Sequence, residues 1–210
     1  MKLKYSNYFL VIIMLCGDGV YFSRALVEEN NNMILTCLAL PLVLLIPFIL
    51  RKLKVLNLNP NALFVYNLFM FFADFLGCVV GLYNKTTYYD VVMHFVSGFS
   101  TALLGMVLYN YLAKKEKDNK ILKYTYIVGF CMAIAAFWEI FEFFGDNTLG
   151  MNLQHSIDTG VRDTMEDIIC AVMGMFTYLG VFTLSRSTSS FHKFIDCLLY
   201  TSDAADDLIG

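Results

Sequence analysis

Six apolar stretches dominate this 210-residue chain, and each is close to the roughly 20 residues that a helix needs to cross a bilayer. Only 16% of the residues are charged, whereas soluble domains carry about a quarter, and the mean hydropathy is +0.61. This composition excludes a disordered chain, a disulfide scaffold and a nucleic-acid-binding protein, which would need a surplus of basic residues. We therefore predict an all-α polytopic membrane bundle with spans at 7–27, 33–50, 62–83, 91–113, 124–144 and 167–184.

The basic residues alternate from one predicted loop to the next. Of the 15 Lys and Arg residues, 12 lie before the first span or after the second, fourth and sixth spans. Lys and Arg collect on the cytoplasmic side of a membrane protein. The pattern predicts both termini in the cytoplasm and the long segment 145–166 outside.

We expect residues 1–196 to form a single transmembrane helical domain, because no repeat or soluble domain is visible. The last residues, 197–210, begin CLLYTSDAADD. This string resembles the translation of a sequencing-library adaptor, so we expect a non-native tail and exclude it from functional reasoning.

Three of the predicted spans carry pairs of polar residues near their outer ends, where an acid costs roughly 2.5–3.5 kcal/mol to insert. The members of each pair are three or four residues apart and therefore share a helix face. All fall within one to two turns of the outer surface, so we expect one polar layer. The pairs are Asp90 with His94, Glu139 with Glu142, and Asp163 with Asp167.

Carboxylates and an imidazole in apolar surroundings repel one another unless a proton or a cation intervenes. Such mixed donors suit Mg²⁺, Mn²⁺, Fe²⁺ or Zn²⁺, and alternatively one carboxyl group acts as a general acid, a general base or a proton carrier. The predicted catalytic residues are His94, Glu139, Glu142, Asp163 and Asp167. The predicted divalent-metal ligands are His94, Glu139, Glu142 and Asp167.

Two further residues, Asp90 and Gln154, are expected to support this layer. A simpler interpretation is available for Asp90 and Asp163, which could cap the fourth and sixth helices near their positive ends. Asp18 and Asp74 form a separate question, because each lies near the middle of a span, where an acid is by default functional or pairs helices.

The motifs in the second half of the chain resemble the YjdF-like family of bacterial inner-membrane proteins. They are YDVVMHFVSGF at 89–99, WEIFEF at 138–143, Gln154, and DTMED at 163–167, and the resemblance covers about 88–176. A more distant resemblance is to the VanZ-like proteins, which share an Asp-x-x-x-His motif, a later Glu and a closing pair of Asp residues. Both resemblances imply a multi-pass protein of the cell envelope, located in the bacterial plasma (inner) membrane, and neither supplies a reaction.

Three functions fit these residues, and the sequence leaves enzymatic activity open. The first is an enzyme with this outward-facing site, acting on a lipid-linked or envelope substrate. The second is a small cation- or proton-coupled transporter, working as a homodimer with Asp18 and Asp74 on its path. The third is a non-catalytic assembly or partner protein, since polar contacts between membrane helices contribute about 0.6–2 kcal/mol. In each case the lipid bilayer is a partner and nucleic acid is not.

Overall fold

A computed structural model describes residues 2–53, 58–113, 119–151, 153–154, 161–185 and 189–199. All regular elements among these residues are helical, and six helices are long and apolar enough to cross a membrane. The predicted all-α polytopic bundle is therefore confirmed. The helices are α1 (Lys2–Val27), α2 (Asn31–Lys52), α3 (Pro60–Met70, continued by a π-helical segment, Phe71–Val79), α4 (Leu82–Lys85), α5 (Thr87–Leu112), α6 (Lys120–Leu149), α7 (Val161–Leu184) and α8 (Ser190–Leu199).

The chain divides after residue 87 into two compact units. The first unit holds α1 to α4, and local sequence explains where two of its helices begin. Asn30 accepts a hydrogen bond from the Met33 amide at the start of α2, and Asn59 caps α3 ahead of Pro60. Asn is a preferred N-cap residue, and Pro suits the first helical position. The core of this unit is Met14, Cys37, Leu40, Leu44, Phe75 and Val79.

The third predicted span differs from the structure in its second half. It was expected to run to residue 83, but the helix changes to π-helical hydrogen bonding at Phe71 and ends at Val79. Gly81 then adopts a left-handed conformation with φ of +80°, which stops the helix. The short α4 follows this turn.

The second unit contains α5 to α8, and the backbones of α5 and α7 approach each other closely at two glycines. A Cβ atom built on Gly98 would lie 1.8 Å from the carbonyl oxygen of Ala171, and one built on Gly174 would lie 1.9 Å from that of Phe95. Small residues allow membrane helices to pack this tightly. His94 and Asp167 each lie four residues before one member of the Gly98–Ala171 contact, which places them one turn along the same seam.

Helix boundaries in this unit extend beyond the expected spans. The helix α7 begins at Val161 and not at residue 167, so Asp163 lies inside it. The helix α6 continues to Leu149, and the short α8 was not predicted. Residues 197–199 of the predicted tail belong to α8, whereas the rest of that tail lies outside the described residues.

The seam between α5 and α7 gives a stability prediction. We expect Gly98→Ala and Gly174→Ala to lower the free energy of unfolding in detergent by about 1–3 kcal/mol each, because the new methyl group overlaps backbone atoms. Gly180→Ala is the matched control, since nothing lies within 4 Å of its Cβ position. Equal stability of the Gly98→Ala and Gly180→Ala proteins, measured by circular dichroism, would show that the seam is wrong.

Candidate functional site

The centre of the candidate site is formed by Asp90, His94 and Asp167. Nε2 of His94 lies 3.3 Å from Oδ1 of Asp90 on the preceding turn of α5, and 3.7 Å from Oδ2 of Asp167 on α7. One donor atom from each of the three side chains lies within 4.8 Å of the other two. We call these three residues the donor cluster.

Burial increases through the donor cluster. The exposed fraction of the side chain is 20% for Asp90, 12% for His94 and 4% for Asp167. Asp90 lies in the first turn of α5, so the cluster is reached from the end of the bundle where α5 and α7 begin and α6 ends. A small ion or a polar group could enter there and meet Asp167 last.

Two further carboxylates come from α6. Glu139 and Glu142 are both buried, with exposed fractions of 6% and 9%. Glu139 interacts electrostatically with His94 and Asp90, while Glu142 interacts with Glu139 and Asp167. Oε2 of Glu139 has no hydrogen-bond partner among the residues that the structure describes. A buried carboxylate oxygen of this kind is expensive unless something binds it.

A set of hydrogen bonds fixes the surroundings of Glu139. The side chain of Gln154 donates to the Thr164 hydroxyl at 3.1 Å, and Thr164 in turn hydrogen bonds to Glu139. The carboxylate of Asp146, in the last turns of α6, accepts hydrogen bonds from the backbone amides of Leu153 and Gln154 at 2.6 and 3.0 Å. The end of α6 thereby holds Gln154 in position over Thr164.

Asp163 lies one turn before Asp167 on α7 and interacts electrostatically with Asp167 and Glu139. Asp90 and Asp163 are not N-cap residues, because both lie within the first turn of their helices and not before it. Their carboxylates are still stabilised by the positive end of the helix dipole. Asp90 interacts mainly with His94.

The structure thus brings together all five predicted catalytic residues and the two supporting residues, Asp90 and Gln154. The closest donor group differs from the predicted metal set: Asp90 belongs to it, while Glu139 and Glu142 lie beside it. Asp18 and Asp74 lie in the first unit and are not part of this site. His155 and Asp158, which the sequence places above the site, lie outside the described residues.

Two contributors to the site were not identified from sequence. Thr164 lies in the DTMED motif, and the sequence predicts no role in the site for either Thr164 or Asp146. Only the observed length of α6 and the start of α7 give them their positions. The spacing of eight residues between Asp146 and Gln154 carries no periodic signal that would reveal this contact.

Comparison with known proteins gives a family and no activity. No curated protein and no solved structure matches the chain. The match to one family runs over residues 8–188, most of the chain, and agrees with the resemblance to YjdF-like membrane proteins. The chain therefore belongs to the family described as "Predicted membrane protein (DUF2238)".

Proposed function

We propose that the chain is a membrane-embedded enzyme whose donor cluster, Asp90, His94 and Asp167, binds a divalent cation. The observation that carries this proposal is the convergence of three ligand atoms within 4.8 Å beside a buried, unpartnered oxygen of Glu139. We propose further that the site faces the outside of the bacterial plasma membrane and acts on a lipid-linked or envelope substrate.

Charge balance favours a cation at this position. The donor cluster and its neighbours contribute five carboxyl groups and a single imidazole. The nearby Arg162 does not offset them, since it is exposed and pairs with Glu166 at 2.6 Å. Buried charges of one sign need a proton or a metal ion between them. A divalent ion held by one imidazole and two carboxylates fits the donor preferences of Mn²⁺, Fe²⁺ and Zn²⁺.

The surrounding residues suit acid–base chemistry. Glu139 has an oxygen free to accept a proton, and the Thr164 and Gln154 hydrogen bonds hold the other part of its side chain in place. A bound cation would polarise a substrate oxygen or activate a water molecule. Glu139 is then the proposed general base, with Glu142 behind it as the second carboxyl group.

The proposed substrate class follows from the depth of the site. The donor cluster lies within about two turns of the helix ends, and we infer that headgroups of lipid-linked molecules reach this level. The distribution of Lys and Arg in the sequence favours the non-cytoplasmic side for this end of the second unit. The more distant VanZ-like resemblance is in keeping with an envelope substrate.

Metal binding by the purified protein tests the proposal. We expect one Mn²⁺ per chain, and we expect Asp167→Asn to weaken binding at least about ten-fold, because even the loss of a group that only orients a ligand costs 10–100-fold. Glu166→Gln, one residue away and exposed, is the control and should bind Mn²⁺ as the unaltered protein does. The free-ion paramagnetic resonance signal measures binding without interference from the cysteines.

Glu139→Gln separates the metal from the chemistry. We expect this variant to keep its Mn²⁺ while losing any envelope phenotype that complementation by the unaltered gene restores. The proposal fails if Asp167→Asn and Glu166→Gln bind Mn²⁺ equally well. The proposal of enzymatic activity fails if the Glu139→Gln variant complements fully.

Sidedness is tested by labelling single cysteines with a reagent that cannot cross the membrane. In a cysteine-free background, we expect a cysteine at Tyr88, an exposed position at the start of α5, to react in intact cells. A cysteine at Ile121, exposed at the other end of the unit, should react only after the cells are opened. The reverse pattern would place the site in the cytoplasm.

A further inference from the structure

The first unit contains a second pair of acids inside spanning helices, Asp18 on α1 and Asp74 on the π-helical segment that follows α3. Their helices are in direct contact beside them. A Cβ atom built on Gly17 would lie 2.5 Å from the ring of Phe75, and these two residues are the chain neighbours of Asp18 and Asp74. The two carboxylates interact electrostatically across this contact.

Asp18 is almost completely buried and only partly satisfied. Its exposed fraction is 6%, and its Oδ1 atom has no hydrogen-bond partner among the described residues. The thiol of Cys37 on α2, itself 2% exposed, interacts with Asp18 and with Asp74. An unpartnered, buried carboxylate oxygen is costly in an apolar setting, so it calls for a ligand at that position.

Among the residues that the structure describes, Arg24 and Lys85 do not compensate the pair. Arg24 on α1 is exposed, and Lys85 on α4 donates to the backbone carbonyl of Val80 at 2.7 Å. Within the described residues, neither carboxylate makes an ion pair with them. The remaining titratable neighbour, Tyr66 on α3, interacts with Asp74, but its hydroxyl already donates to the carbonyl of Val43.

The backbone around Asp74 is also unusual. Asp74 lies inside a π-helical segment of nine residues, Phe71–Val79. π-helical residues make up well under 1% of globular structure and frequently occur at functional sites. The wider turn changes the direction of the residues that follow Met70, relative to a continued α-helix. It accompanies the contact that brings Asp74 to Asp18.

We propose that Asp18 and Asp74 form an intramembrane proton-binding site in which the two carboxyl groups share one exchangeable proton. Two neighbouring carboxylates in an apolar interior cannot both stay charged without a cation, and they titrate as a pair. Among the described residues, Asp18, Asp74 and Cys37 do not form a group of three closely spaced ligand atoms like the donor cluster. A hard cation would also need more oxygen ligands than the two carboxylates and the engaged Tyr66 hydroxyl offer. Ca²⁺, for example, takes 6–8 oxygens. A proton needs only the pair.

The proposed site lies in the first unit and shares no residue with the donor cluster. Protonatable acids inside spanning helices mark proton relays in pumps and transporters. The proposed ligand is therefore a proton that reaches the middle of the first unit and leaves it again.

Infrared spectroscopy of the full-length protein in liposomes tests this inference. The measurement is made with a metal chelator present, so that failure of the metal proposal does not affect it. We expect a carbonyl band from a protonated carboxylic acid that shifts in D₂O. The Asp18→Asn/Asp74→Asn double variant should lose the intensity of one such group, whereas the Glu28→Gln control, an exposed acid of the same unit, should retain it.

A second measurement needs no variant. A hydrophobic carbodiimide reacts with protonated carboxyl groups in apolar surroundings, and mass spectrometry locates the adduct. We expect modification at Asp18 or Asp74 that decreases as the pH is raised and is unaffected when choline replaces Na⁺. Absence of modification at both residues, or an unchanged infrared band in the double variant, would overturn the proposal. Protection by Na⁺ would overturn the assignment to a proton.

Discussion

The close packing of α5 against α7 is the interaction on which the candidate site depends. Gly98 and Gly174 let the two backbones approach until a single added methyl group would overlap a carbonyl oxygen. His94 and Asp167 lie one turn along this seam and are brought to 3.7 Å. Without that approach, Asp167 would lose its contact with His94 and would be a buried carboxylate inside an apolar helix, at a cost of several kcal/mol.

The order and direction of the helices bring the other residues of the site together. Because α5, α6 and α7 run in alternating directions, the start of α5, the end of α6 and the start of α7 meet at one end of the unit. Asp90, Glu139 and Asp167 therefore share a depth although they are far apart in sequence. The hydrogen bonds of Asp146 and Gln154 then connect the end of α6 with Thr164 on α7, so the site has a supporting layer as well as its central residues.

The spans and the residues that share a helix face were predictable, because they follow from the length of the apolar stretches and from helical periodicity. The six spans follow from length and hydropathy, and the spacing of four between Asp90 and His94 places both on one face. The sequence could not predict which faces meet across helices, so it assigned Glu139 and Glu142 to the metal in preference to Asp90. It also missed the π-helical segment around Asp74 and the role of Asp146, because neither produces a periodic pattern of apolar residues. Both arise from tertiary contacts.

The most direct test of the central claim is the position of a bound ion. Mn²⁺ scatters anomalously and prefers carboxylate and imidazole donors over thiols. In crystals of the protein grown with Mn²⁺, we expect a single strong anomalous peak in contact with Asp90, His94 and Asp167, and next to Glu139. The central claim would be contradicted if these three side chains were far apart, or if the anomalous peak lay elsewhere and the donor cluster held no ion.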